Sequence, residues 1–249
     1  MTRIIKPEEY QQKRAEILDA AQRLIFTKGY EQMSIQDILN ELGISKGAFY
    51  HYFDSKQALL EAIVLRMMLE AENILAPIAQ DSELSALTKL ERFFGSVARW
   101  KTARRAMLIN LLHVWYADDN AILRQKLSSA GGKWLSPFLL QIIQQGVREG
   151  RMEPGPGVNA EAAQVVVHMM MSMGEGIATA MLSLTPQADE NERLACLQRM
   201  ENLVLAYRSA IERVLGVPAG SISLFDLDIL KDWVLDPDAV ASSPASTPL

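Results

Sequence analysis

The sequence predicts an all-α protein of about nine helices and leaves open a short tenth helix near the C-terminus. Apolar residues recur at intervals of three and four along most of the 249 residues, which is the period of an amphipathic helix. We find no run of alternating polarity bounded by turn signals, as a half-buried strand would show. Glycine and proline separate the predicted helices, most clearly in the loop at 151–157.

Composition places the chain among ordinary globular proteins, with 49% hydrophobic and 22% charged residues. The single cysteine, Cys196, excludes an internal disulfide framework and offers no metal-site spacing. The N-terminus lacks the apolar run of a signal peptide. Polar residues interrupt the longest apolar stretches, at 108–116 and 165–173, which are too short to span a bilayer. The sequence therefore predicts a cytoplasmic protein with no membrane partner.

The first predicted helix runs from Pro7 to about Lys28, after a loose arm at 1–6. Proline is tolerated in the first turn of a helix, and Gly29 ends it. This helix would cover the two short helices that follow, which cannot bury their own apolar faces.

The second helix begins after Ser34, which caps it together with Asp37 in a capping-box arrangement. Apolar residues at 35, 38, 39 and 42 form one stripe on its surface. Gly43 is expected to end the helix in a left-handed conformation. Ser45 can then cap a third helix from Lys46. Two short helices joined by a glycine-containing turn of three or four residues form a helix-turn-helix.

The third helix exposes residues that suit DNA. Phe49 and Phe53 face the second helix, while the opposite side carries Gly47, Ala48 and His51. Small residues permit close approach, and lysine, tyrosine and histidine suit phosphate oxygens and base edges. The alternative is a helical hairpin with exposed aromatic residues. The predicted DNA contacts are Ser34, Gln36, Ser45, Lys46, Gly47, Ala48, Tyr50, His51, Tyr52 and Lys56.

The string Gly-Ile-Ser-Lys-Gly-Ala-Phe-Tyr-His-Tyr-Phe-Asp-Ser-Lys at 43–56 resembles the signature of the TetR (tetracycline-repressor) family of bacterial transcriptional regulators. The resemblance includes residues 17–30 and extends to about Leu60. One small departure is Leu42, where many members carry alanine. The resemblance implies a helix-turn-helix domain followed by a larger helical domain that binds a small effector and dimerises.

Charge is unevenly distributed along the chain. The net charge is −5, yet residues 1–60 hold equal numbers of basic and acidic side chains. DNA binding must therefore come from the placement of a few charges, and it should be sensitive to salt.

The remaining chain is predicted to be helical. The fourth helix runs from Lys56 to about Leu75 and is ended by Pro77. Further helices are expected at about 82–101, 104–117, 119–149, 158–184 and 190–215. We predict a DNA-binding domain at 1–56, an effector-binding and dimerisation domain at 57–215, and an extension at 216–249. The extension would hold a short helix near 222–234 and then a disordered tail.

The second domain is rich in bulky, adaptable apolar side chains with scattered polar groups, which suits a cavity for an apolar or aromatic molecule. The alternative for each residue is an ordinary place in the core. The candidates are Met67, Met68, Trp100, Met107, Asn110, His113, Trp115, Tyr116, Trp134, Phe138, Met169, Met170 and Met173.

The last two long helices are apolar on more than one side and so need two partners. A second copy of the chain is the economical second partner, and similar proteins pair these helices into a four-helix interface. A twofold dimer would also present two recognition helices to a palindrome. The predicted interface residues are Val165, Ile177, Leu197, Met200, Val204, Tyr207 and Ile211.

Enzymatic functions find little support. His113 and His168 have no histidine or carboxylate three or four residues on, and His51 has only Asp54, so no metal site or cofactor is expected. The leading hypothesis is a dimeric repressor that a small effector releases from a palindromic operator. The alternative is an all-α small-molecule-binding protein or enzyme that has lost DNA binding. An activator also remains open.

Overall fold

The computed structural model describes residues 7–116, 120–185, 187–224 and 226–235. Within these ranges the chain forms ten helices and no strand, which confirms the all-α prediction and includes the short tenth helix. The helices are α1 Pro7–Lys28, α2 Ile35–Leu42, α3 Lys46–Tyr50, α4 Lys56–Gln80, α5 Ala86–Thr102, α6 Arg105–Tyr116, α7 Ala121–Arg148, α8 Asn159–Leu182, α9 Glu190–Leu215 and α10 Asp228–Leu235.

The chain divides into two compact units. Unit 1 comprises Met1–Leu69 and Ala106–Leu127, and unit 2 comprises Glu70–Arg105 and Ser128–Leu249. Unit 1 includes the start of α4 and most of α6, which the sequence assigns to the effector-binding domain, and the domain boundaries stay predictions.

Unit 1 extends the three predicted N-terminal helices by parts of α4 and α6. Arg66 of α4 pairs with Asp19 of α1 at 2.6 Å. Asn110 of α6 donates from its side-chain amide to the carbonyls of Ile25 and Phe26, at 3.3 and 3.2 Å. The fully buried apolar residues of this unit include Ile17, Ile25, Ile38, Phe49, Leu59, Leu60 and Ile63. The helix-turn-helix is therefore anchored by α4 and α6 as well as by α1.

The core of unit 2 lies among the end of α4 and helices α5, α7, α8, α9 and α10, with buried side chains from each. Helices α8 and α9 form the most extensive helix pair. Leu203 of α9 fills the space beside Gly176 of α8, where an added Cβ would lie 2.5 Å from its side chain. A side chain at Gly176 would require Leu203 to move, which shows how closely the two helices approach here.

Helix α4 continues through Pro77, where the sequence predicts its end, and reaches Gln80. A proline inside a helix removes one backbone hydrogen bond and costs about 3 kcal/mol. Leu75 and Ala79, on either side of the proline, are both buried in the core of unit 2. Burial offsets the cost, so the prediction of a helix end at Pro77 is wrong.

The C-terminal extension differs from its prediction in where the helix begins. Helix α10 starts at Asp228, whereas residues 222–224 are not helical. The side chains of Ile222 and Leu224 are buried, and the buried Glu212 carboxylate accepts a hydrogen bond from the Ile222 N–H at 3.1 Å. This segment is held by α9 before α10 begins. The predicted disordered tail from 236 lies outside the described residues.

Three hydrogen bonds attach α10 to distant parts of unit 2. The Trp233 indole N–H donates to Thr102 Oγ1 at 3.1 Å. Arg105 Nη2 donates to the Trp233 carbonyl at 3.3 Å, and Arg193 Nη1 donates to the Val234 carbonyl at 3.0 Å. Carbonyls at a helix C-terminus lack partners within the helix and carry the negative end of its dipole. The two arginines donate hydrogen bonds to these carbonyls and place positive charge at the negative end of the dipole. Helix α10 is therefore an integral part of unit 2.

Helix α8 is long and apolar enough to cross a membrane by length and composition alone. Its most apolar window of 18 residues has a mean hydropathy of 1.4, and 22% of that window is buried. Polar residues interrupt α8, so its uninterrupted apolar runs are short although the helix as a whole is apolar. The interior helix of a globular protein passes the same test, and α8 supplies Val166, Val167 and Met173 to the core.

Replacing Trp233 with alanine is expected to destabilise unit 2 by about 2–4 kcal/mol, because both its packing and its bond to Thr102 are lost. Urea unfolding followed by circular dichroism measures the change. The control is Asp232→Ala, at an exposed neighbour on the same helix, which should change stability by less than about 0.5 kcal/mol. Equal stability of the two variants would contradict the attachment of α10.

Candidate DNA-binding surface

Helix α2 is capped at both ends, as the sequence predicts. The Asp37 N–H donates to Ser34 Oγ at 3.2 Å, and the Ser34 N–H donates to Asp37 Oδ2 at 2.7 Å. At the other end Gly43 is left-handed, with a φ of 62°, and its N–H donates to the Leu39 carbonyl. A side chain is strained at this φ, which explains the glycine. Together the two caps set the direction of the turn that follows.

Asp37 also connects α2 to the end of α1. Its carboxylate lies 2.6 Å from the Lys28 ammonium. The hydrogen bonds from Lys28 and from the hydroxyl and N–H of Ser34 hold the pKa of Asp37 well below its ordinary value. Hydrogen bonds to the charged form favour that form, so the folded domain stabilises an ionised Asp37.

Helix α3 is five residues long and is fixed at its start and along its inner side. The Ala48 N–H donates to Ser45 Oγ at 3.2 Å, which confirms Ser45 as the cap. Phe49 is fully buried, and its ring centroid lies 5.9 Å from that of Phe53. These anchors hold the inner side of α3 against the rest of unit 1.

The outer side of α3 presents small, cationic and aromatic groups together. Lys46, Gly47 and His51 are exposed, and the Tyr50 side chain is 41% exposed. The Lys46 ammonium lies 6.0 Å from the centroid of the Tyr50 ring. A Cβ added at Gly47 would meet nothing within 4 Å. Four of the predicted contacts thus lie on one accessible surface, with the half-buried Ala48 beside them.

Three predicted contacts are already hydrogen-bonded within the protein. The Ser34 hydroxyl donates to Asp37 Oδ2 at 2.6 Å, and Ser45 caps α3. Gln36 Nε2 donates to Asn40 Oδ1 at 2.8 Å. All three side chains are exposed. The structure shows their local roles, and their contact with DNA stays a prediction.

The Lys56 side chain is half-buried and is held by contacts within unit 1. Its ammonium lies 4.3 Å from the centroid of the Tyr30 ring and donates to the Glu31 carbonyl at 3.2 Å. The Tyr30 hydroxyl in turn donates to the Lys56 carbonyl at 3.2 Å, and burial raises the pKa of Tyr30 to about 12. Desolvation lowers the pKa of Lys56, against the opposing attraction of Glu31. Lys56 therefore fastens the α1–α2 connection to the start of α4.

Sequence reasoning missed the contacts between α1 and the end of α3. The Tyr10 ring centroid lies 4.7 Å from that of Tyr52 and 5.6 Å from that of His51. Arg14, one helical turn further, lies 5.0 Å from the centroid of the Phe53 ring. The sequence does show that Tyr10 and Arg14 are four residues apart, and this spacing places them on one face of α1. Their partners are too distant along the chain for periodicity to reveal.

The predicted effector-binding residues fall in both units. Those in unit 1 are Met67, Met68, Met107, Asn110, His113, Trp115 and Tyr116. Those in unit 2 are Trp100, Trp134, Phe138, Met169, Met170 and Met173. In unit 1, Met67 is buried and the Asn110 amide is committed to carbonyls of α1. The side chain of His113 lies outside the described residues.

Two groups of aromatic residues in unit 2 carry polar partners. The ring centroids of Trp134 and Phe138 lie 5.7 Å apart, and the Trp134 indole N–H donates to Glu72 Oε2 at 2.8 Å. The Arg104 guanidinium lies 4.6 Å from the centroid of the Trp100 ring. The buried indole N–H of Trp100 finds no hydrogen-bond acceptor within the part of the chain that the structure describes.

The predicted dimer contacts divide between core and surface. Four of them are buried in the core of unit 2, namely Leu197, Met200, Val204 and Ile211. Side chains that are already buried within the protomer can add little burial on dimerisation, and the contact of these four with a second copy stays a prediction. Val165 is 41% exposed, and Ile177 and Tyr207 are half-buried. The regular stripe on α9 is the face that packs on its own chain.

A shallow hollow of about 320 Å³ opens on the surface formed by α8 and α9. It is lined by Val165, His168, Met169, Ser172 and Tyr207. Two of these residues belong to the predicted interface. Met169, which the sequence predicts as an effector-binding residue, also lines this hollow.

No group of three or more His, Cys, Asp or Glu side chains that could hold a metal ion occurs among the described residues. His168 Nδ1 lies 2.7 Å from the Gln164 carbonyl on its own helix. Cys196 is buried, its thiol donates to the Ala180 carbonyl at 3.3 Å, and burial raises the pKa of the thiol. A thiol held in this way is a poor nucleophile.

Residues 17–63 match the family model of bacterial regulatory proteins of the tetR family. TtgR of Pseudomonas putida, a transcriptional regulator, is 26% identical over 186 residues, which cover 73% of this chain and 86% of TtgR. The transcriptional repressor DhaR of a Mycobacterium species is 20% identical over 131 residues, covering 53% of this chain and 66% of DhaR.

A TetR-family regulator from Pectobacterium atrosepticum superposes with a TM-score of 0.60 at 20% identity, over 82% of this chain and 97% of that chain. The capped helices, the left-handed turn and the exposed α3 define a helix-turn-helix protein. Its similarity to known regulators identifies a role in DNA-binding transcription regulation. The chain therefore resembles the TetR family of bacterial regulators, whose family model matches its residues 17–63.

Replacing Asp37 with alanine is expected to lower the melting temperature at neutral pH, because the Ser34 N–H loses its acceptor in the capping box and the pair with Lys28 is lost. The folded-state pKa of Asp37 is lowered, so its contribution is complete above its unfolded pKa of about 4 and is lost as the pH falls further. Calorimetry between neutral and acidic pH should show the two melting temperatures converging below that point. Glu91→Ala, at an exposed carboxylate, is the control and should match the wild type throughout.

Proposed function

We propose that the protein is a dimeric repressor that binds a palindromic DNA operator and is released from it by a small apolar or aromatic effector. It acts in the cytoplasm, needs no cofactor or membrane, and catalyses no reaction. TetR-family regulators bind DNA and usually act as dimers. DhaR, to which the chain is similar, is a transcriptional repressor, and this supports repression over activation.

The exposed surface of α3 is the observation that carries the proposal. Gly47 allows the helix to approach a groove without steric hindrance from its own chain. Lys46, Tyr50 and His51 surround it with donors and an aromatic ring. Such groups contact phosphates and base edges when a recognition helix enters the major groove.

Dimerisation is supported by the open side of α8. Only 22% of its apolar window is buried within the protomer, although the helix packs on α9. An apolar surface of this kind marks an interaction site. The hollow at Val165 and Tyr207 offers room for side chains of a second copy. A twofold pairing would supply the second α3 that a palindrome requires.

An apolar or aromatic effector is supported by the residues of unit 2. Trp134 and Phe138 form an aromatic pair with a carboxylate at the indole nitrogen, and Trp100 has a buried N–H available to an acceptor. Aromatic walls with a few polar groups are typical of small-molecule sites. An effector would release DNA by favouring a conformation that does not fit the operator.

Selection of bound sequences from a random DNA pool tests the proposed function, and the wild type is expected to recover a palindrome. Gly47→Glu should abolish binding to that palindrome, because it places bulk and negative charge where the backbone of DNA comes closest. The variant should still fold, since nothing lies within 4 Å of the added Cβ. Fluorescence anisotropy with the recovered duplex measures the affinity.

The control for this test is Gln80→Glu, which makes the same charge change at an exposed residue outside unit 1. It should bind the palindrome as the wild type does. Recovery of no sequence by the wild type, or wild-type affinity in Gly47→Glu, would contradict the assignment of α3.

Val165→Glu is expected to yield a folded monomer, because the side chain is exposed in the protomer and would be buried in the dimer. An obligate interface buries on the order of 2,000 Å², and an unpaired charge within it costs several kcal/mol, of order 3–5. Size exclusion with light scattering measures the mass.

Gln141→Glu on an exposed position of α7 is the matched control and should leave the dimer unchanged. A wild-type monomer, or a Val165→Glu variant that stays dimeric, would show that this surface is not the interface. Val204→Glu is unsuitable for the test, because Val204 lies in the core of its own protomer.

A further inference from the structure

The C-terminal end of α3 depends on a helix that lies far from it in sequence. A helix of five residues has too few hydrogen bonds to be stable alone. Ser45 fixes its first turn and Phe49 fixes its inner side. Backbone hydrogen bonds join His51 to Gly47 and Tyr52 to Phe49, but they do not orient the side chains of His51 and Tyr52, which follow the last helical residue and belong to the predicted DNA contacts.

Tyr10 contacts both of these residues. Its ring lies 4.7 Å from Tyr52 at an interplanar angle of 37°, and 5.6 Å from His51 at 81°. The rings of His51 and Tyr52 are themselves 5.1 Å apart at 81°. The two pairs that include His51 are edge-to-face, a favourable arrangement for aromatic rings, and the Tyr10–Tyr52 pair is tilted at a similar distance. The three rings therefore form a closed aromatic cluster between α1 and the end of α3.

We propose that Tyr10 is a positioning residue for operator recognition, whose ring holds His51 and Tyr52 in the orientation in which they meet DNA. The proposal rests on the proposed function, since it concerns binding to an operator. Side chains that are ordered before binding lose less entropy when the complex forms. His51 is exposed, and the rings of Tyr10 and Tyr52 are the aromatic neighbours that restrict its rotation.

The first test is a double-mutant cycle on the palindrome recovered by the wild type. Tyr10→Leu keeps apolar bulk on α1 but removes the ring, and it should weaken operator binding about threefold to tenfold. In a His51→Ala/Tyr52→Ala background the same change should alter affinity by less than about twofold. Tyr10→Phe, which keeps the ring, should restore binding to the level of the wild type.

A second readout separates positioning from a loss of general affinity. If Tyr10 orients two contacts, Tyr10→Leu should weaken binding to the palindrome more than binding to a scrambled duplex of equal length. A uniform loss on both duplexes, or equal losses in the two backgrounds of the cycle, would overturn the proposal. Either result would make Tyr10 an independent backbone contact or a general structural residue.

A third measurement does not involve DNA. In the full-length protein, NMR resonances of the His51 and Tyr52 rings should move and sharpen toward averaged values in Tyr10→Leu, because the neighbouring ring current and its restraint disappear. Tyr30→Leu is the matched control: Tyr30 is another half-buried tyrosine of unit 1, and its ring packs on Lys56 instead. It should leave the two ring signals in place.

The outcomes distinguish this inference from the proposed function. A wild type that recovers no DNA while its ring resonances respond to Tyr10→Leu would overturn the proposed function, and operator positioning with it. A wild type that binds its palindrome, with a Tyr10→Leu variant of equal affinity, would overturn the positioning role alone. Unchanged ring resonances in Tyr10→Leu would also overturn it.

Discussion

The DNA-binding surface depends on the burial of Phe49. Helix α3 is too short to form alone, so its conformation and direction must be imposed by contacts outside it. Phe49 supplies the anchor, and the hydrogen bond from Ala48 to Ser45 supplies the start. Because successive residues of a helix are 100° apart, burying Phe49 turns Gly47 to the opposite side. Hydrophobic burial within unit 1 therefore orients the polar surface that we propose for DNA binding.

Several charged side chains that are suited to binding a partner are used to hold helix ends. Asp37 joins the cap of α2 to Lys28 at the end of α1. Lys56 lies on the Tyr30 ring and fixes the start of α4. Arg105 binds a terminal carbonyl of α10. These roles matter for a protein of net charge −5, because they leave few cations to contact phosphates and make the position of each decisive.

Helix α9 of unit 2 is apolar on more than one side, and its sides pack against different neighbours. The inner stripe of α9, which includes Met200 and Val204, is buried in the core. Helix α10 packs along α9 and is held by Trp233 and by Arg193. Helix α10 of the C-terminal extension thus covers part of the α9 surface that, from the sequence, is expected to pack against a second copy. The apolar side of α8 remains open, and it is this side that we propose for dimerisation.

Local signals in the sequence determined the all-α class, the caps at Ser34 and Ser45, and the left-handed turn at Gly43, because each depends on residues within a few positions of it. They also identified most of the exposed α3 surface. Only the tertiary structure decided which apolar stripe is core, whether α4 continues past Pro77, and that Tyr10 reaches the end of α3. Periodicity shows that a helix face will be buried but does not specify what covers it. That choice depends on contacts between residues far apart in the chain.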